Sequence, residues 1–197
     1  GGEGLSGTGP KAGGPRYLPR FTKQELVSSP NTGGSDVSLE AIEAAFDSLP
    51  GSTEPIEEAN LPGPTGEANR LSLLPRHRVL CLGPSAHEAQ QQVKRAAALG
   101  CAAIAIAPGV GGLLDGTVSG ETLKTLGDLG AVIDWSDEAS RTRRALASRD
   151  GAIVPLITSR EVEAYLVFER HICINTTAAG GNAELLGGEV PAVSEAA

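Results

Sequence analysis

Aromatic side chains make up only 3% of the 197 residues: three Phe, two Tyr and one Trp. Platforms for stacking nucleic-acid bases need such rings, so that mode of binding is excluded. Basic charge is also short. Sixteen Lys and Arg stand against 24 Asp and Glu, a net charge of -8. That balance argues against nucleic acid and anionic membrane as partners. No apolar run approaches the roughly 20 residues of a membrane span. The chain opens Gly1-Gly2-Glu3-Gly4, with no Met and no secretory leader pattern. It reads as a piece of a longer chain. Cysteine is scarce: Cys81, Cys101 and Cys173 fit no zinc spacing, and His77, His87 and His171 form no cluster. A catalytic thiol wants a helix N-terminus or a basic neighbour, and none is evident. All three cysteines lie in apolar runs and read as buried, reduced core thiols of a cytoplasmic protein.

What is present is organised around Val79-Leu80-Cys81-Leu82-Gly83-Pro84-Ser85. Val79 to Leu82 has the length of a buried strand. Ser85 and Glu88 form a capping box for a following helix. Ala89, Val93, Ala96 and Ala97 give that helix an apolar stripe, and Gly100 ends it. Cys101 to Ala107 is a second apolar run. Two such strands joined by one helix make a βαβ unit on a parallel sheet. A nucleotide phosphate would sit on the turn Gly83-Pro84-Ser85-Ala86. That turn has one glycine and a proline without an N–H, so the scaffold is of nucleotide-binding type while the site is missing.

The remaining segments follow in order. Residues 1–35 are rich in glycine and proline and cannot pack as a domain alone. Tyr17, Leu18, Phe21 and Leu26 would anchor them elsewhere, as an edge strand. Gly2-Glu3-Gly4-Leu5-Ser6-Gly7 matches G-x-G-x-x-G but follows no strand. Residues 36–68 read as a helix, Ser38 to Leu49 with Leu39, Ile42, Phe46 and Leu49 on one face, then an acidic linker. Residues 69–186 form the compact part. It has a lead-in strand at Leu71 to Leu74, the βαβ unit and a loop over 109–120. A helix over Glu121–Leu129, weakened by Gly127, and a strand over Ala131–Trp135 follow. Ser136 caps a further helix running to about Ser148. Then come a strand over Ala152–Ile157, a helix over Glu161–Glu169 and a strand over His171–Ile174. Arg141, Arg143, Arg144 and Arg149 read as a solvated basic face. Alternating strands and helices predict the α/β class, Rossmann-like, with a mostly parallel sheet preceded by an extended arm. Residues 187–197 read as a disordered tail.

Two stretches carry a resemblance. Gly1 to Pro15 resembles the closing segment of the glutamate semialdehyde (1-pyrroline-5-carboxylate) dehydrogenase module of the proline utilization A family. Asn175-Thr176-Thr177-Ala178-Ala179-Gly180-Gly181-Asn182 resembles the C-terminal motif of that family's longer members. The resemblance implies a parent that joins an FAD-dependent proline dehydrogenase to an NAD-dependent aldehyde dehydrogenase. The parent's substrates would be proline and glutamate semialdehyde. Its catalytic cysteine and glutamate would lie outside this chain. Gly1, Gly2, Gly4, Ser6 and Gly7 would shape the aldehyde pocket through backbone. Asn175, Thr176, Thr177, Gly180, Gly181 and Asn182 would form a lid for substrate channelling.

The middle region resembles a degenerate aldehyde dehydrogenase nucleotide domain. Ile106 falls where the family has a ribose-binding lysine, and Asp134-Trp135-Ser136-Asp137 replaces a phosphate-binding run. Asp137 would repel a pyrophosphate. Ser159 falls at the general-base glutamate. The implied fragment is noncatalytic and binds neither NAD nor FAD itself. Its partner is the rest of the parent chain, in the cytoplasm with peripheral membrane association of the parent. From the residues alone, a free-standing Rossmann-like binding or regulatory module stays open.

Overall fold

The computed structural model describes residues 9–23, 25–26, 29–30 and 33–175. Its centre is a four-stranded parallel sheet built from β3 (Arg78–Leu82), β4 (Ala102–Ala105), β5 (Leu129–Asp134) and β6 (Leu156–Ile157). The spatial order is β4-β3-β5-β6. The expected βαβ unit is present: β3 pairs parallel with β4, with Val79 opposite Ala103. Helix α2 (Ala86–Ala98) joins them. Ser85 Oγ accepts the Glu88 N–H at 3.3 Å and donates to the Glu88 carboxylate at 2.9 Å, which closes the predicted cap. Gly100 takes a φ of +82° just beyond the helix, the left-handed position glycine adopts without strain.

Strand alternation sends successive side chains to opposite faces. Leu80, Ile104 and Val132 join one core cluster with Ile42 and Phe46 of α1 (Leu39–Asp47), Leu123 of α3 (Gly120–Thr125) and Leu146 of α4 (Ala139–Ala147). Val79, Cys81, Ala103, Ala131 and Ile133 join the other with Ala96 of α2, Trp135, Val162 and Leu166. The sheet is therefore covered on both faces, as a parallel sheet requires.

A second sheet departs from the sequence expectation. β1 (Glu57–Leu61), β2 (Glu67–Pro75) and β7 (Val167–Asn175) form an antiparallel sheet in the order β1-β2-β7. The supposed linker thus contains a strand, and the lead-in strand belongs to this sheet and not the parallel one. The helix expected over Glu161–Glu169 is instead a single 3₁₀ turn, Glu163–Tyr165, followed directly by β7. Nine consecutive backbone pairings with β2 hold β7, and with it Val167 to Glu169 of the expected helix, extended. The strand expected over Ala152–Ile157 shrinks to Leu156–Ile157.

Helix boundaries shift for local reasons. α3 stops at Thr125, because Gly127-Asp128 turns the chain into β5 and Asp128 has a φ of +47°. Leu126 and Leu129 are still buried, but from a cap position and a strand. α4 begins at Ala139 without a side-chain cap. Ser136 bonds Asp134 instead. On α2 the buried positions are Ala89, Gln92 and Ala96, whereas Ala97 faces solvent. Leu49 lies beyond α1 and is exposed.

Candidate functional site

In an open α/β sheet a ligand lies at the carboxyl ends of the strands. That edge is formed here by Leu82-Gly83 after β3, Ile106 to Pro108 after β4 and Asp134 to Ser136 after β5. The cavity between them is about 40 Å³. This is space for a water molecule or two, against the several hundred Å³ of a ligand pocket. The turn after β3 is tightly closed. A Cβ built on Gly83 would lie 2.3 Å from the backbone nitrogen of Ala89, in the first turns of α2.

Ile106 and Asp134 at this edge are both engaged within the protein. Ile106 is 1% exposed and packs in the core, and its N–H donates to the Cys81 carbonyl at 3.0 Å. Asp134, at the end of β5, is buried. Its carboxylate accepts from the Ser136 N–H at 2.9 Å, the Ser136 hydroxyl at 2.6 Å and the Thr142 hydroxyl at 2.6 Å. The sequence reading chose Asp137 as the negative charge at this edge. The structure puts Asp137 at the surface, with its N–H donating to Ser29 O at 3.0 Å, and Asp134 in the cavity lining. An Asp followed two residues later by Ser, with Thr on the next helix, was the available signal. Ser159 is 2% exposed, its carbonyl accepts from Trp135 Nε1 at 3.0 Å, and its hydroxyl finds no partner among the described residues.

Of the residues assigned to the aldehyde pocket, Gly1, Gly2, Gly4, Ser6 and Gly7 lie outside the described residues. So do Thr176, Thr177, Gly180, Gly181 and Asn182 of the lid motif. Asn175 is described: it ends β7, opposite Glu67 of β2.

Three further expectations are corrected or refined. Cys81 and Cys101 are buried as expected, and burial pushes the Cys81 thiol far up and the Cys101 thiol to about 11. Cys173 is exposed, because the far end of β7 projects beyond the core. Desolvation and the Glu67 carboxylate raise its thiol above the usual range. Arg141, Arg143 and Arg144 are exposed on α4, but Arg149 is not part of a solvated face. Its guanidinium donates to the carbonyls of Leu123, Lys124 and Leu126 at the end of α3. Tyr17, Leu18, Phe21 and Leu26 do not form a buried anchor: all four are solvent-facing, with Leu18 and Phe21 in a 3₁₀ turn. No group of His, Cys, Asp and Glu able to hold a metal occurs among the described residues, and none of their helices is long and apolar enough to cross a membrane.

No family model matches the chain. Curated relatives do. The bifunctional protein PutA of Salmonella typhimurium is 34% identical over 230 residues, covering 94% of this chain and 17% of that protein. PutA of Escherichia coli is 32% identical over 233 residues, with the same coverages. PutA of Rhizobium meliloti is 33% identical over 225 residues, covering 94% and 18%. A solved structure of proline utilization A with proline bound in remote sites overlays 59% of this chain and 14% of that one, at 25% identity and a TM-score of 0.37. The chain spans about a sixth of the length of the curated relatives it matches. Over nearly all of its own length the chain is a segment of PutA-type sequence.

Proposed function

We propose that the chain is the C-terminal part of a bifunctional proline-catabolic enzyme and serves there as a noncatalytic structural domain and lid. The parent would oxidise proline with FAD and the resulting glutamate semialdehyde with NAD, in the cytoplasm. The observation that carries this reading is the 32–34% identity to PutA proteins over 94% of the chain. A noncatalytic role draws support from the carboxyl edge. The remaining 40 Å³ cannot admit a dinucleotide, and Asp134 presents a carboxylate where a pyrophosphate would lie. Titration of the chain with NAD is expected to give no micromolar binding; micromolar binding would overturn the noncatalytic assignment.

The lid role rests on Asn175 to Asn182. Amides, hydroxyls and a Gly180-Gly181 pair suit a segment that seeks backbone partners on another module. A cover over the route between two active sites keeps a reactive intermediate from water. Deleting residues 175–197 from the longer protein should leave proline oxidation nearly unchanged and introduce a lag in NADH formation from proline. Absence of a lag, with normal aldehyde oxidation, would remove the lid.

A further inference from the structure

A second, larger cavity lies away from the carboxyl edge of the parallel sheet, on one face of the antiparallel sheet. Its volume is about 530 Å³, inside the range of roughly 300–1,000 Å³ that small-molecule sites occupy. The sheet register builds its floor. Glu57 of β1 lies directly opposite Leu73 of β2, and Leu73 directly opposite Glu169 of β7. Residues opposite one another share a face, and so do residues two apart on one strand. Glu57, Leu73 and Val167 are therefore on one face, and all three line the cavity. Leu73 and Val167 are buried, whereas Glu57 is exposed at the rim. Leu99, at the end of α2, and Ala164, in the 3₁₀ turn before β7, add further apolar surface. The segment before α1 supplies Arg16.

Arg16, Glu57 and Glu163 are the charged side chains among the described residues of the lining, and their commitments differ. Glu163 is neutralised, because Arg95 donates to both of its carboxylate oxygens, at 2.6 and 2.5 Å. Glu57 has no hydrogen-bond or ion-pair partner for its carboxylate among the described residues. Glu58, on the other face of β1, shows the contrast: Arg70 and Ser72 both donate to it. Arg16 is held by one N–H, which donates to the Ala164 carbonyl at 3.3 Å. That bond fixes the guanidinium at the cavity wall. A neutral carbonyl leaves its positive charge uncompensated, and the other N–H donors of the fork stay available. No carboxylate pairs with Arg16 among the described residues.

We propose that this cavity binds a small zwitterion with an apolar body, the chemistry of a free apolar amino acid or of a short peptide of such residues. Arg16 takes the carboxylate, Glu57 takes the ammonium, and Leu73, Leu99 and Val167 receive the apolar part. Exposed ion pairs contribute little each, so apolar burial supplies most of a modest affinity and the two charges set the selectivity. A plain carboxylic acid leaves Glu57 unanswered, and a plain amine leaves Arg16 unanswered. The assignment does not depend on what the longer protein catalyses.

Calorimetric titration of the 197-residue chain with L-leucine and with L-leucyl-L-leucine tests the site, and the two probes distinguish a single amino acid from a peptide. At least one should bind with a Kd below about 1 mM. The N-acetylated form of the tighter probe lacks the ammonium, and its C-terminal amide lacks the carboxylate. Each should bind about threefold or more weakly, as expected for the loss of one exposed ion pair. Arg16→Ala should abolish the preference for the acid over the amide. Glu57→Gln should abolish the preference for the free amine over its acetylated form. Both variants should keep the wild-type circular dichroism. Failure of both probes to bind overturns the site. Acetylated and amidated forms that bind as tightly as the parent probe overturn the zwitterion assignment. Preferences that survive in both variants place the ligand elsewhere and overturn this cavity as its site.

Discussion

Gln92 is fully buried on the sheet-facing side of α2, and neither atom of its amide meets a hydrogen-bond partner among the described residues. An unsatisfied buried amide costs about 1–3 kcal/mol. Gln92→Leu keeps similar volume and removes that cost. It should raise the thermal midpoint by roughly 2–4 °C per kcal/mol recovered, measured by calorimetry; a lowered midpoint would mean that the amide is satisfied in solution. Nothing in the pattern of α2 announced this residue, because glutamine at a helix position reads as solvent-facing. Cysteine is a parallel case. Three thiols in apolar runs read as core, yet the third sits on a strand that outruns the core. Native protein should therefore expose one reactive thiol, Cys173, to a thiol reagent, and three after denaturation. With its proton held above the usual range, that thiol should react more slowly than a free one at neutral pH.

At the scale of elements, legibility depended on whether the signal was local. Ser85 with Glu88, Gly100 and the β3 and β4 runs were readable because caps and short apolar strands are specified by neighbours in sequence. β1 and β7 were not. β1, Glu57–Leu61, is polar and half-exposed, and its stability comes from pairing with β2 and not from its own composition. The Glu161–Glu169 stretch has helical composition, and at Val167 to Glu169 long-range pairing with β2 overrode it. The candidate edge was half legible. Ile106 was legible as part of an apolar strand run, whereas the contacts that Ser29 and Ser35 make along the edge were not, since these hydrogen bonds are backbone and carry no side-chain signature. One glycine makes that contact sterically possible: a Cβ on Gly116 would lie 2.1 Å from Ser35 O. Gly116→Ala should lift Ser35 to Val37 off this loop and speed hydrogen exchange at the Val37 and Thr117 amides by about tenfold or more, a loss of about 1.4 kcal/mol in local closing. Unchanged exchange there would show that the loop absorbs the methyl group. The link between α2 and the turn before β7 has its own pH dependence. Arg95 forms two hydrogen bonds to Glu163, which hold that carboxyl below the usual range. A depressed folded-state value stabilises the protein above the unfolded value, about 4.3, and the contribution disappears as pH falls through the folded one. The stability difference between wild type and Glu163→Gln should shrink in that acid window.

For the molecule as a whole, the two sheets divide the work. The parallel sheet carries a core cluster on each face and only a small cavity at its carboxyl edge. The antiparallel sheet joins it only at one end. Residues 71–75 of β2 are buried without interruption, while residues 172–175 of β7 are all exposed. Among the described residues β7 is an edge strand of nine residues, and Ile172 and Ile174 are 44% and 57% exposed on the projecting half. A long edge with apolar side chains is a template for another strand. Nothing in the alternation of Arg170, Ile172 and Ile174 with His171 and Cys173 foretold this. Such a pattern reads as a half-buried strand, and only the length of β7 relative to the core shows that its second half has left it. The 197-residue chain should consequently self-associate at tens of micromolar, seen as a concentration-dependent rise in sedimentation coefficient. Ile172→Lys with Ile174→Lys places charge on that edge and should return the chain to a single slower species with unchanged helical circular dichroism. If the wild-type chain sediments as a concentration-independent monomer, the projecting edge is adequately protected by its own neighbours.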